Sequence, residues 1–154
     1  MLSQKEQELA AVYATIGRGC APPTGRPIHH GSTPCSVLIV ESSAVIRTQI
    51  AHRFVQEQCE VRTASDGIEA VEQLGRQRFD AVVFDFLTSR IAPHDFVAVV
   101  HRRRPDTRII VVTESTPAPR LREDLMGEGA HAVVSKPLDL ANLVSLVTPF
   151  KNAA

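Results

Sequence analysis

The chain has 154 residues and is 44% hydrophobic, a length and composition that suit one domain with its own core plus an appendage. Its 17 lysines and arginines balance 17 aspartates and glutamates, so no net charge draws it to nucleic acid or to an anionic membrane. No apolar stretch approaches the roughly 20 residues that a membrane-spanning helix needs, and residues 1–8 are too polar for a secretory signal.

The first 34 residues are predicted to form the appendage. Residues 1–16 are predicted as an amphipathic helix, because Ser3 and Glu6 have the spacing of a capping box. Residues 17–34 contain four prolines and four glycines and are predicted as an irregular linker. A helix this short is not stable alone in water, so we expect its apolar stripe to mediate homodimers or to dock onto its own domain. The stripe consists of Leu9, Val12, Tyr13 and Ile16.

From residue 35 to residue 148, apolar runs of strand length alternate with amphipathic helices. Their β-branched residues are continuous, which is typical of strands buried on both faces of a parallel sheet. Five such units with right-handed crossovers predict a doubly wound α/β fold with strand order 2-1-3-4-5. The predicted strands are residues 37–40, 59–64, 81–84, 108–112 and 132–135. The predicted helices are residues 43–57, the segment after Asp66-Gly67, Pro93 to residue 101 or 103, residues 118–126 ended by Gly127 and Gly129, and the segment between Asp139 and Pro149.

Polar side chains follow the ends of four of these strands: Glu41, Asp85, Thr113 and Lys136. In open parallel sheets, ligands and chemistry collect outside the carboxyl ends of the strands. The sequence therefore predicts that these four side chains share one crevice. The alternative is that Asp85 and Lys136 form a fixed structural ion pair at the sheet edge, with no catalytic turnover.

In order and spacing, these residues resemble the receiver domain of two-component response regulators, over residues 35–148. The resemblance implies a flavodoxin-like (βα)5 fold in which Asp85 is the phosphoacceptor. It also implies that Thr113 and Lys136 bind the phosphoryl group, and that the bond between Lys136 and Pro137 is cis. Phosphoryl transfer to a carboxylate needs such a nucleophile and a cationic group beside the developing phosphate.

The resemblance also implies a Mg²⁺ site made by the carboxylates of Glu41 and Asp85 and the carbonyl oxygen of Leu87. Mg²⁺ prefers oxygen ligands of these kinds. The second acid of the family's pair is replaced by Ser42. We expect weak Mg²⁺ binding, reduced roughly tenfold or more, because losses of outer ligands alone cost about 10–100-fold.

Three further positions depart from the family's pattern. Ser89 replaces a proline, and Glu114 replaces a small residue next to Thr113. Glu114 either adds bulk and negative charge where the phosphodonor enters or points outward. Val133 replaces the aromatic residue of the fifth strand, so no hydroxyl-bearing ring can act as a switch. We expect any signal to pass through Thr113, Glu114 and the loop of residues 115–119.

The expected function is that of an atypical single-domain response regulator, without an output domain, that takes part in phosphorelay signalling and acts by protein–protein contact. We expect no enzymatic activity beyond Mg²⁺-assisted phosphoryl transfer onto Asp85. The expected partners are a sensor histidine kinase or phosphotransfer protein and a downstream protein, with neither nucleic acid nor membrane. The alternatives are a pseudo-receiver, which binds proteins without phosphorylation, and more remotely a flavin-binding protein. Three cysteines without metal-ligand or disulfide spacing indicate a reducing compartment, the cytoplasm.

Overall fold

The computed structural model describes residues 35–88 and 90–148, in which five parallel strands alternate with five helices. The predicted helix of residues 1–16, the linker of residues 17–34, Ser89 and Pro149 lie outside the described residues. Within the described part, no helix is both long and apolar enough to cross a membrane.

The strands form a single sheet with the order β2-β1-β3-β4-β5, as the sequence predicts. All neighbouring strands are parallel. The strands are β1 (Ser36–Val40), β2 (Glu60–Ala64), β3 (Ala81–Asp85), β4 (Arg108–Thr113) and β5 (Ala132–Ser135). The helices are α1 (Ala44–Gln56), α2 (Gly67–Arg76), α3 (Pro93–Arg103), α4 (Pro119–Glu128) and α5 (Leu140–Val147).

The core consists of two apolar layers, one on each face of the sheet. On β1, Leu38 and Val40 face the layer covered by α2, α3 and α4, and Val37 and Ile39 face the layer covered by α1 and α5. Alternate residues of a strand point to opposite faces, so a continuous apolar run fills both layers. The buried strands therefore place the polar residues that follow them at one edge of the sheet.

One aromatic pair joins the central strand to its crossover helix. The rings of Phe84 in β3 and Phe96 in α3 stack with centroids 4.0 Å apart and planes 13° apart, and both side chains are fully buried. Burial of an aromatic side chain contributes roughly 1.5–3 kcal/mol. This packing holds β3, and with it Asp85, against α3.

Helix starts follow local sequence signals. Ser43 caps α1 by accepting a hydrogen bond from the amide of Ile46 at 3.4 Å, and Asp139 caps α5 by accepting one from the amide of Asn142 at 3.0 Å. Pro93 and Pro119 lie in the first turns of α3 and α4, where the missing N–H of proline removes no helical hydrogen bond.

The structure corrects the predicted end of the fourth helix. Gly127 lies inside α4, which continues to Glu128. Gly129 ends the helix with φ of 127°, a conformation that favours glycine. An isolated glycine within a helix costs only about 1 kcal/mol, so Gly127 does not terminate it.

Four strand boundaries also differ from the prediction by one residue: β1 begins at Ser36, β2 begins at Glu60, β3 ends at Asp85 and β4 ends at Thr113. Cys59 lies before β2, because its amide bonds the carbonyl of Phe54 at 3.0 Å and closes the end of α1 instead of joining the sheet. Strand β4 extends one residue further, to Thr113, because the Thr113 carbonyl accepts a hydrogen bond from the Lys136 amide at 2.8 Å.

Candidate functional site

The carboxyl ends of β1, β3, β4 and β5 bring four ionisable side chains together. The Lys136 Nζ atom lies 2.7 Å from Asp85 Oδ2, 2.9 Å from Glu114 Oε1 and 3.5 Å from Glu41 Oε2. The Lys136 side chain is only 15% exposed. One ammonium group therefore faces three carboxyl groups at the edge of the sheet.

Asp85 is buried, and both of its carboxylate oxygens have donors. The Leu87 amide donates to Oδ1 at 2.8 Å, and the Lys136 ammonium donates to Oδ2 at 2.7 Å. Burial alone would raise the pKa of Asp85, but hydrogen bonds from Glu41, Lys136 and the Leu87 amide outweigh burial and lower the pKa. Asp85 is therefore ionised at neutral pH, the form that a nucleophile needs.

The pKa of Glu41 shifts in the opposite direction. Burial, followed by the hydrogen bond with Asp85, raises its pKa from 4.5 to about 7, although the Ser43 amide and the charge of Lys136 oppose the shift. A hydrogen bond between two carboxyl groups requires a proton on one of them. Near pH 7 Glu41 is therefore only partly ionised, whereas Asp85 is fully ionised.

Lys136 keeps its charge at any physiological pH. Burial alone would lower its pKa, but hydrogen bonds to Asp85 and Glu114 and the charges of Asp85 and Glu41 raise it well above the usual range. The peptide bond between Lys136 and Pro137 is cis.

The other residues that the sequence assigns to the site are placed as follows. The hydroxyl of Thr113, a buried residue, donates to the carbonyls of Ser115 at 2.8 Å and Val134 at 3.3 Å, not to the charged cluster. Ser42 is exposed beside Glu41. Val133 is buried in the layer under α2, α3 and α4.

Sequence reasoning missed Arg47. Its Nη1 atom donates to the carbonyl of Glu41 at 2.7 Å and to that of Ser42 at 3.4 Å, which fixes the loop between β1 and α1. No local sequence pattern signals this contact, because it depends on the conformation of the loop that Arg47 bonds.

The donor set fits a magnesium ion with few protein ligands. In the described part of the chain, no cluster of three or more His, Cys, Asp or Glu is placed to hold a metal ion. Mg²⁺ nevertheless binds through one or two carboxylates and keeps several waters, and Glu41 and Asp85 offer two adjacent carboxyl groups.

Comparison with known proteins identifies the family. The family model of the response regulator receiver domain matches residues 37–148. The chain belongs to this family. Receiver domains act in two-component signalling. They typically bind Mg²⁺ or another divalent ion and interact with histidine kinases or phosphotransfer proteins. They are generally not enzymes. The predicted fold and family are confirmed.

Two curated relatives contain a matching segment. A protein-glutamate methylesterase/protein-glutamine glutaminase of Xanthomonas oryzae pv. oryzae is 29% identical over 102 residues, which are 64% of this chain and 29% of the relative. The transcription factor SKN7 of Saccharomyces cerevisiae is 27% identical over 115 residues, 72% of this chain and 18% of the relative. The chain thus spans less than a third of either relative's length.

Solved structures share the fold. The chemotaxis response regulator CheY4 of Vibrio cholerae superposes with a TM-score of 0.68 at 29% identity, over 73% of this chain and 95% of that one. A response regulator from Burkholderia pseudomallei, solved with a phosphorylated aspartic acid, calcium ion and citrate, gives a TM-score of 0.69 at 18% identity, over 77% of this chain and 69% of that one. The second likeness shows the fold alone.

Proposed function

We propose that this receiver domain accepts a phosphoryl group on Asp85 as one step of a phosphorelay. The observation that carries the proposal is the 2.7 Å contact between Asp85 Oδ2 and Lys136 Nζ at the carboxyl edge of the sheet. An ionised carboxylate and a fixed cation are the two protein groups that acylphosphate formation needs.

Asp85, Lys136 and the amide of Leu87 have different roles in the proposed phosphoryl transfer. An Asp85 carboxylate oxygen attacks phosphorus, the bond from phosphorus to the donor's leaving group breaks, and the leaving group keeps the electron pair. Lys136 compensates the negative charge of the arriving phosphoryl oxygens. The amide of Leu87 holds Asp85 Oδ1 at 2.8 Å and so keeps the carboxylate oriented.

The carboxylates of Glu41 and Asp85 and the carbonyl of Leu87 would hold Mg²⁺, which screens the charge of phosphoryl oxygens when bound. Ser42 supplies no charge where the family pattern has an acid, and Glu41 must lose its proton. Both features support weak binding that improves as the pH rises through the pKa of Glu41, about 7.

Thr113 and the loop that follows it are the proposed route of the signal. To bind a phosphoryl oxygen, the Thr113 hydroxyl must leave the carbonyls of Ser115 and Val134. Its departure frees the loop of residues 115–119. Val133 offers no aromatic ring to move, so this loop would carry the change to a protein partner.

The partners proposed on these grounds are a sensor histidine kinase or phosphotransfer protein upstream and a protein downstream, with no role for nucleic acid or membrane. The cytoplasm is the proposed compartment. Residues 1–16 are proposed as an arm for homodimers, on the strength of their apolar stripe.

One observation favours a second candidate, the pseudo-receiver. Lys136 already has three carboxyl partners without any phosphoryl group. Because the charge of Lys136 is already compensated, a domain of this kind would act as a permanent binding module.

Intact-mass spectrometry distinguishes the two candidates. The protein is incubated with Mg²⁺ and phosphoramidate, together with Asp85→Asn and, as a matched control, Asp106→Asn, which alters an exposed aspartate. Phosphorylation of the wild type and of Asp106→Asn but not of Asp85→Asn supports the phosphorelay function. Absence of any phosphoryl adduct on the wild type favours the pseudo-receiver.

A further inference from the structure

Glu114 is the unexpected member of the charged cluster. Its Oε1 atom lies 2.9 Å from Lys136 Nζ, almost as close as Asp85 Oδ2 at 2.7 Å. The Glu114 side chain is 53% exposed, whereas those of Asp85 and Lys136 are 3% and 15% exposed. Glu114 therefore reaches in from the solvent side and covers the ammonium group.

We infer that Glu114 is a built-in competitor for the phosphoryl group at Lys136, and that its charge selects donors with nitrogen leaving groups over acyl phosphates. The inference deepens the proposed function and rests on it.

The competition follows from the charges at the cluster. An arriving phosphoryl group needs the Lys136 ammonium, which is already bound by Glu114 and Asp85. Asp85 stays in place because it is the nucleophile, so Glu114 is the partner that must be displaced. Because Glu114 is exposed, its ion pair with Lys136 is weak. Removal of the Glu114 charge should therefore raise the affinity of the pocket for a phosphoryl-like anion by only about fivefold.

The selection follows from the leaving groups. When Asp85 attacks acetyl phosphate, the phosphorus–oxygen bond breaks and acetate departs as an anion. When it attacks phosphoramidate, the phosphorus–nitrogen bond breaks and neutral ammonia departs, because the nitrogen already carries its third proton. A displaced Glu114 carboxylate at the pocket entrance repels the acetate anion that leaves acetyl phosphate. The same carboxylate attracts the protonated nitrogen of phosphoramidate. A histidine-borne phosphoryl group has the same nitrogen chemistry.

A binding experiment tests the competition without any phosphoryl transfer. Beryllofluoride, which mimics the phosphoryl group, is titrated at saturating Mg²⁺, and binding is followed by the NMR signal of the Leu87 amide, which contacts Asp85 Oδ1. The variant is Glu114→Gln, and the matched control is Glu123→Gln on the exposed side of α4. We expect about fivefold tighter binding for Glu114→Gln and no change for the control. Equal affinities of wild type and Glu114→Gln overturn the inference.

A second experiment tests the selection. Initial phosphorylation rates with acetyl phosphate and with phosphoramidate are measured by intact mass for the same three proteins. We expect Glu114→Gln to raise the rate with acetyl phosphate several-fold more than the rate with phosphoramidate. An unchanged ratio of the two rates overturns the selection.

The two experiments separate the inference from the proposed function. Tighter beryllofluoride binding by Glu114→Gln together with no adduct from either donor would support the competition and refute phosphorylation of Asp85.

Discussion

Substitution of Glu41 by glutamine should remove a pH dependence of stability that the fold imposes. The glutamine amide can still accept from the Ser43 N–H and donate to Asp85, as protonated Glu41 does. It cannot ionise, so it preserves the geometry of the protonated state at every pH.

The size of the effect follows from the pKa of Glu41. A rise from 4.5 to about 7 corresponds to about 3 kcal/mol, since one pKa unit is worth about 1.4 kcal/mol. Because the folded protein favours the protonated form, this stabilisation is fully present below pH 4.5 and is lost as the pH rises through about 7. The stability of Glu41→Gln relative to the wild type should therefore grow by about 3 kcal/mol between pH 4.5 and pH 8.

Thermal unfolding followed by circular dichroism in EDTA measures this difference. For a domain of this size, about 3 kcal/mol corresponds to a shift of roughly 10 °C. Partial burial and the charge of Arg108 lower the pKa of His131, which makes stability rise with pH. This effect is common to both proteins and cancels in the comparison. Glu60→Gln, an exposed substitution, serves as the matched control. Parallel pH profiles for the wild type and Glu41→Gln would refute the raised pKa of Glu41.

Three further predictions concern other parts of the chain. Gly129→Ala should destabilise the protein by roughly 1–3 kcal/mol in denaturant unfolding, because φ is 127° and a Cβ atom would lie 2.3 Å from Cγ of His101. Gly127→Ala is the control, because it has open space around it and should be neutral or stabilising. Equal losses of stability for the two variants would contradict this reasoning. Ser42→Asp should tighten Mg²⁺ binding about tenfold or more in a calorimetric titration, and an unchanged affinity would show that Ser42 is not at the metal position. Deletion of residues 1–30 should leave the melting temperature nearly unchanged and reduce the assembly size in light scattering; monomers for both proteins would refute the dimer arm.

The strand ends could be predicted from the sequence because they depend on short, strong signals. Continuous apolar runs such as the one before Glu41 indicate buried parallel strands, and parallel strands place their carboxyl ends together. The convergence of Asp85 and Lys136 follows from topology alone, without knowledge of any side-chain conformation. The functional roles assigned to these residues stay predictions.

Side-chain orientations could not be predicted in the same way. Glu114 had two open orientations, and the structure selects the one that contacts Lys136 at 2.9 Å. The Thr113 hydroxyl bonds backbone carbonyls because of the path of its own loop. The support of Glu41 by Arg47 depends on a loop conformation that no local pattern specifies.

The C-terminal end of α4 could not be predicted from the sequence either. Gly127 and Gly129 are equivalent stop signals in the sequence. Only Gly129 adopts the positive φ, and a side chain there would collide with His101. The tertiary contact with His101 therefore explains why position 129 holds a glycine.

Chemical mapping of the phosphorylated residue tests the central claim most directly. After incubation with Mg²⁺ and phosphoramidate, borohydride reduces an aspartyl phosphate to homoserine, which peptide mass spectrometry locates. We predict homoserine at position 85 in the treated protein and aspartate at that position when the donor is omitted. Unmodified Asp85 after donor treatment, or homoserine at another position, would contradict the assignment of Asp85 as the phosphoacceptor.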